Sequence, residues 1–208
     1  MKYDEFLAWA DEDTHAEWVD SAVIFKGPLS LRGHMLRSFL MRVLSEFTEE
    51  YGLGTIIGNF HMRLDHSGRE PELIFVASDH TARLTEVYLD GPADLVVEVI
   101  SPESGARDRG EKFYEYEAAG IPEYWLLDPE AERAEFYQLD EHGKYQQIAP
   151  DPQHVYHSRA LPGFWLKTDW LWQDPLPGVE ETLLAVGGEP YARALLERLR
   201  EGGYLPDR

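Results

Sequence analysis

Two rhythms of apolar and polar positions run along this chain. Between residues 31 and 51, Met35, Phe39, Leu40, Val43, Leu44 and Phe47 recur at helical spacing. That spacing predicts a helix from Leu31 to Tyr51, which Gly52 and Gly54 break. YDEFLAW (3–9) predicts a short helix, and AEWVDSAVIFK (16–26) a strand with a turn. TIIGNFHMRL (55–64) predicts one strand, followed by a turn at DHSGRE. ELIFVA (72–77) is a short apolar strand. After a turn at GPA (91–93), DLVVEVI is a near-continuous apolar run of the kind buried on both faces. SPESG ends it, and a helix over 106–119 stops at Gly120, just before Pro122. EYWLLD (123–128) is a strand, and RAEFYQL and KYQQIA form a hairpin across DEHG. A last helix runs from about Glu189 to Glu201, inside a helical extension over 185–208. Strands with helices between them predict a single mixed α/β domain over 1–208 with a central sheet.

One residue breaks the apolar rhythm. Glu98 sits in the middle of VVEVI. A buried ionised carboxylate costs several kcal/mol unless it is paired or holds a metal. Alternation puts Asp94, Val96, Glu98 and Ile100 on one strand face. Asp94 is too far along that strand to share an ion with Glu98: four residues span about 13 Å, against ligand distances of roughly 2.1 Å. It is expected to tie down the turn after GPA, in a supporting role. A neighbouring strand lies only about 4.8 Å away, which makes Glu72, opening ELIFVA, a second acid able to converge on Glu98. Lys112 follows on the next helix, with Asp108 four residues before it on the same face. Asp108 and Lys112 read either as a surface i,i+4 pair or as part of a charged site. The alternative for Glu98 is a buried salt bridge without catalysis.

Composition narrows the field. The 208 residues are 43% hydrophobic and 28% charged, ordinary for a globular protein. No apolar run approaches the roughly 20 residues of a membrane span. The N-terminal stretch MKYDEFLAWADEDTH is acidic and lacks an apolar signal core. Zero cysteines exclude disulfides, thiolate metal sites and a cysteine nucleophile, and fit a cytoplasmic protein. The formal net charge of -20 opposes long-range attraction to phosphate backbones, so nucleic-acid binding would need a local basic groove or bound cations. His61 and His66 flank a turn and read as surface residues; His34 reads as structural. Trp165, Trp170 and Trp172 read as a packed edge or an interface rather than a base-stacking platform.

The run PADLVVEVISPES–RDRGEKFYEYEAAGIPEYWLLDP resembles the Uma2 family, also called DUF820, placed among the PD-(D/E)xK nucleases. EFLAW with AEWVD, His34, PELIFVA and LPGFWL extend the resemblance over most of 3–170. It implies a restriction-endonuclease-like fold and a metal-dependent endonuclease acting on DNA. By resemblance, Glu72 takes the place of the first acid and Glu98 that of the second. Lys112 takes that of the catalytic lysine, moved from the position of Ile100 onto the following helix. Glu17 matches an acid that completes the site. Glu72 and Glu98, with the main-chain carbonyl of Val99, are expected to hold Mg²⁺ or Mn²⁺. Two positions depart from the family pattern: Glu72 stands where Asp is usual, and Ser21 where Gly is usual. The alternative function is a catalytically inactive nuclease-fold protein acting as a binding or dimeric interaction module. A homodimer is expected on general grounds of symmetry. A basic rim from Lys26, Arg107, Arg109 and Lys112 would favour nuclease action.

Overall fold

The chain begins with α1 (Tyr3–Trp9) and a hairpin of β1 (Ala16–Val19) and β2 (Ala22–Phe25). Asp20 and Ser21 turn that hairpin with positive φ of 47° and 72°. Two left-handed residues match the right-handed twist of the flanking strands. The turn therefore forms with serine where glycine would be free of strain. Helix α2 (Leu31–Glu50) follows, capped by Ser30, which accepts from the Gly33 N–H at 3.2 Å. Next come β3 (Gly54–Gly58), β4 (His61–Arg63), β5 (Ser67–Arg69), β6 (Leu73–Ala77), β7 (Tyr88–Asp90) and β8 (Leu95–Val99). Helix α3 covers 105–118 in three pieces, Gly105–Arg107, a π turn Asp108–Lys112, and Phe113–Ala118. The remaining strands are β9 (Glu123–Asp128), β10 (Arg133–Leu139), β11 (Tyr145–Gln147), β12 (Val155–His157) and β13 (Trp165–Lys167), and α4 (Val179–Glu201) closes the chain. This computed structural model describes residues 1–11 and 14–206.

The central sheet has the order β11-β10-β9-β8-β6-β3. Only β8 and β9 pair in parallel there, joined through α3. The near-continuous apolar runs of β8 and β9 reflect burial on both faces. One face packs Phe75, Leu95, Val97, Trp125 and Leu127 under Leu36, Leu40, Val43 and Phe47 of α2. The other face carries Ile74, Val96, Tyr124 and Leu126, which pack with Tyr116 of α3. A second sheet, β2-β1-β5-β4-β7, stands beside that α3 face. Trp165, Trp170 and Trp172 are partly buried against the α2-side core, so they form a packed edge. Among the described residues no helix is long and apolar enough to cross a membrane.

Three expectations change. TIIGNFHMRL is not one strand: Asn59, with φ of 48°, breaks it, sending β3 and β4 into different sheets. Asparagine tolerates that left-handed conformation better than most residues. DHSGRE is a turn only in its first half, because Ser67–Arg69 is a buried strand. Gly68 opens that strand to the N-terminal segment, since a Cβ there would collide with the Tyr3 ring. The last helix starts at Val179 rather than near Glu189, with Gly188 (φ 57°) breaking it ahead of Pro190. The Gly-Gly pair at 187–188 hides the first half from a periodicity search. Residues 207 and 208 of the expected extension lie outside the described residues.

Candidate active site

Strand register brings the two acids together. β6 and β8 pair antiparallel, Leu73 with Val97 and Ile74 with Val96. Continued one residue, that register sets Glu72 across from Glu98. Like charges directly opposite on adjacent strands repel, so a counter-charge is required. The π turn of α3 supplies one. It points Asp108 and Lys112 inward, both almost fully buried. Such turns recur at functional sites.

Lys112 Nζ lies 2.8 Å from Glu98 Oε1, 2.8 Å from Glu17 Oε1 and 3.4 Å from Asp108 Oδ1. The Asp108–Lys112 pair is therefore buried, not the surface pair that spacing also allowed. Tyr116, one turn further along α3, donates its hydroxyl to Glu98 Oε1 at 2.9 Å. Glu72 is held separately, by Lys26 at 3.0 Å and Arg37 at 3.2 Å. Glu17 has a second cation: Arg69 Nη1 is 3.1 Å from its Oε2. Arg69 is itself fully buried and also bonds Glu111 and Glu115 of α3.

These surroundings split the two acids that share Lys112. Burial pushes Glu98 up to about 7, against the pull of Lys112 and with the push of Asp108. Burial acts upward on Glu17 too, but Lys112 and Arg69 together outweigh it and hold the group at about 2. Lys112 loses by burial and gains more from Glu98, Glu17 and Asp108, so it stays protonated well above the usual lysine range.

Glu72, Glu98, Val99, Asp108 and Lys112 all line one cleft, between the end of β2 and the start of α3. Its interior open to water centres is about 30 Å³, room for about two waters or an ion. Ser101 Oγ is buried without a hydrogen-bond partner and Asp108 Oδ1 has only the Lys112 ammonium at 3.4 Å, and both residues line that cleft. Magnesium is typically held by one or two carboxylates plus waters and substrate oxygens, not by an all-protein cage. Two opposed carboxylates beside an unpartnered hydroxyl and a third carboxylate fit that mode. Among the described residues no three His, Cys, Asp or Glu groups are gathered tightly enough to hold an ion alone.

Asp94 stands outside the cleft. It accepts from the Ala77 N–H and bonds His80 Nδ1, both at 2.8 Å, and so anchors the loops beside GPA. The basic rim is only partly assembled. Lys112 is buried, Lys26 is paired with Glu72, and Arg109 bonds Asp128 and Glu135. His66 and His34 are exposed, whereas His61 is half-buried. Its ring packs edge-on against Phe6 at 5.4 Å, its Nδ1 is buried, and burial lowers its basicity. Sequence reasoning missed Arg69, Tyr116 and Arg37. Tyr116 was within reach, since 108, 112 and 116 form one stripe at i+4 spacing. Arg69 was hidden in a stretch that reads as a turn.

A mixed central sheet flanked by helices is the architecture of the restriction-endonuclease-like class. Within it, the chain belongs to the Uma2 family, described as "Putative restriction endonuclease", whose family profile matches residues 3–169. A solved neighbour is titled as a putative nuclease belonging to DUF820 from Anabaena variabilis ATCC 29413. It shares 14% identity at a TM-score of 0.70, covering 83% of this chain and 97% of its own. That likeness shows the fold. No curated protein matches the chain in sequence.

Proposed function

We propose that this chain is a metal-dependent endonuclease that hydrolyses DNA phosphodiester bonds. The observation that carries the reading is the facing pair Glu72 and Glu98 in one cleft, with the Lys112 ammonium 2.8 Å from Glu98. Glu72 and Glu98 would hold Mg²⁺ or Mn²⁺, with the Val99 carbonyl beside them. Such an ion lowers the pKa of a bound water and neutralises the scissile phosphate.

The chain's own residues supply the rest. Lys112 is locked in its charged form by three carboxylates. It therefore serves as a fixed positive charge for the developing phosphorane, not as the base. Glu17, ionised through Arg69, fixes the ammonium from behind. Tyr116 holds Glu98 Oε1 from the helix side, leaving its other oxygen as the one to meet an ion. Burial of the whole cluster raises the strength of each interaction by excluding water.

One observation favours a second reading, an inactive binding module. Glu72 is clasped by both Lys26 and Arg37, so an ion has to compete with two cations for it. Cleavage of supercoiled plasmid and of a single-stranded oligonucleotide separates the readings. Activity with Mg²⁺ or Mn²⁺, absent in EDTA and absent in Lys112→Met, is the expected result. A well-folded wild-type protein that cleaves neither substrate with either metal would contradict the nuclease reading.

A further inference from the structure

The cleft carries three cations, and two of them are already committed. Lys26 is 12% exposed in its side chain and bonds Glu72 and the Glu70 carbonyl. Lys112 is buried among acids. Arg107, on the opposite wall from β2, has no side-chain ion pair or hydrogen bond among the described residues. Beside Lys26, Phe25 ends β2 on the cleft wall with 67% of its surface exposed. Trp9, 48% exposed, meets the Phe25 ring edge-on at 6.2 Å and 76°. The edge contact holds the ring while leaving its surface to solvent.

We propose that the substrate strand of this site is single-stranded DNA, with an unpaired base stacked on Phe25 and a phosphate held by Arg107. The proposal deepens the nuclease reading and rests on it. Duplex binding draws its affinity from many neutralised phosphates. A chain of net charge -20, with one uncommitted guanidinium at the cleft, offers few. Stacking is indifferent to net charge, because every base has an aromatic face. In a duplex those faces are already covered by neighbouring bases, so an exposed ring gains nothing there. Phe25, exposed on the cleft wall, stands where a base at the mouth can reach it.

Fluorescence anisotropy tests this on the full chain, without added metal, using a labelled 12-nucleotide strand and its blunt duplex. Phe25 is exposed, so Phe25→Ala leaves the core intact. The single strand should bind at least about tenfold tighter than the duplex. Phe25→Ala should lose about tenfold on the single strand and nothing on the duplex, and Phe25→Tyr should retain binding. Arg107→Gln should reduce the log–log salt slope by about 0.7, the loss of one phosphate contact on a single strand. Equal affinity for both forms, no binding of either, or an unaffected Phe25→Ala overturns the proposal. Metal-dependent cleavage of the single-stranded oligonucleotide that persists unchanged in Phe25→Ala and Arg107→Gln overturns it while leaving the nuclease reading intact. Single-strand binding that depends on Phe25, without cleavage under any metal, supports the DNA site and removes the nuclease reading instead.

Discussion

Glu98 on β8 and Glu123 on the adjoining β9 are both buried glutamates in the same sheet, 2% and 0% exposed. Their surroundings differ completely. Glu123 accepts from Trp125 Nε1 at 2.6 Å, Tyr156 hydroxyl at 2.7 Å, Ser158 Oγ at 3.2 Å, and the Arg159 and Ala160 N–H groups at 2.7 Å. All five donors are neutral, and together they saturate both oxygens. Glu98 has two donors, both on one oxygen, and it opens on a cleft beside a second acid. The Glu123 donors come from residues 125 to 160, so this carboxylate pins the loop before β13 to the sheet. Burial alone therefore does not mark a site. An acid whose needs the fold meets in full is a staple; one left sharing a cation with other acids is available for chemistry.

The largest expected effect lies on the Glu98 side. Glu98→Gln and Lys112→Met should each lower plasmid nicking at least about a hundredfold, the scale of losing one charge-stabilising group. Glu123→Gln should leave the rate per folded molecule unchanged. Its effect should appear in urea unfolding instead, as a loss of about 3 kcal/mol. Either orientation of the amide sets its NH₂ against the Trp125 indole or against two main-chain N–H groups, and none of these can turn to accept. A Glu123 variant with normal stability, or a Glu98 variant with normal nicking, would break the contrast.

A smaller effect is pH dependence of stability without metal. Glu98 is raised from 4.5 to about 7 in the fold. Between those values the folded chain holds a proton that the unfolded chain has released, so Glu98 lowers stability as pH rises across that window and adds no slope above it. Glu17 is lowered from 4.5 to about 2. Its contribution is complete above 4.5 and is lost as pH falls toward 2. Urea unfolding from pH 4.5 to 8 should show a Glu98-linked decline on the order of 2 kcal/mol, absent in Glu98→Gln. The smallest effect belongs to a third acid on the same strand face. Asp94→Ala should cost about 1.5 kcal/mol through the lost Ala77 and His80 bonds, with nicking intact.

Much of this was legible in the sequence. Strand alternation and neighbour distance pointed to Glu72 as the partner of Glu98 and set Asp94 aside, and the register agrees. The helix over 106–119 was legible, but its π turn was not, because apolar spacing does not report an extra residue in a turn. Glu123 drew no notice, since its donors lie as far as 37 residues downstream. Arg69 read as a turn residue, because SGR has neither alternation nor apolar character. Its burial is a tertiary effect, made possible by Glu17, Glu111 and Glu115 converging on it. Ser21 was the reverse case: the serine departs from the family's glycine, yet the hairpin keeps its left-handed turn.

The most direct test of Glu98 as the site acid and Glu123 as a structural one is calorimetric titration of Mg²⁺ and Mn²⁺. Wild type, Glu98→Ala and Glu123→Gln would be compared at pH 8, where Glu98 is ionised. Saturable binding in wild type and in folded Glu123→Gln, abolished in Glu98→Ala, is the predicted result. Binding that survives in Glu98→Ala, or no binding by wild type at millimolar metal, would contradict it and leave Glu98 as a buried ion pair with Lys112.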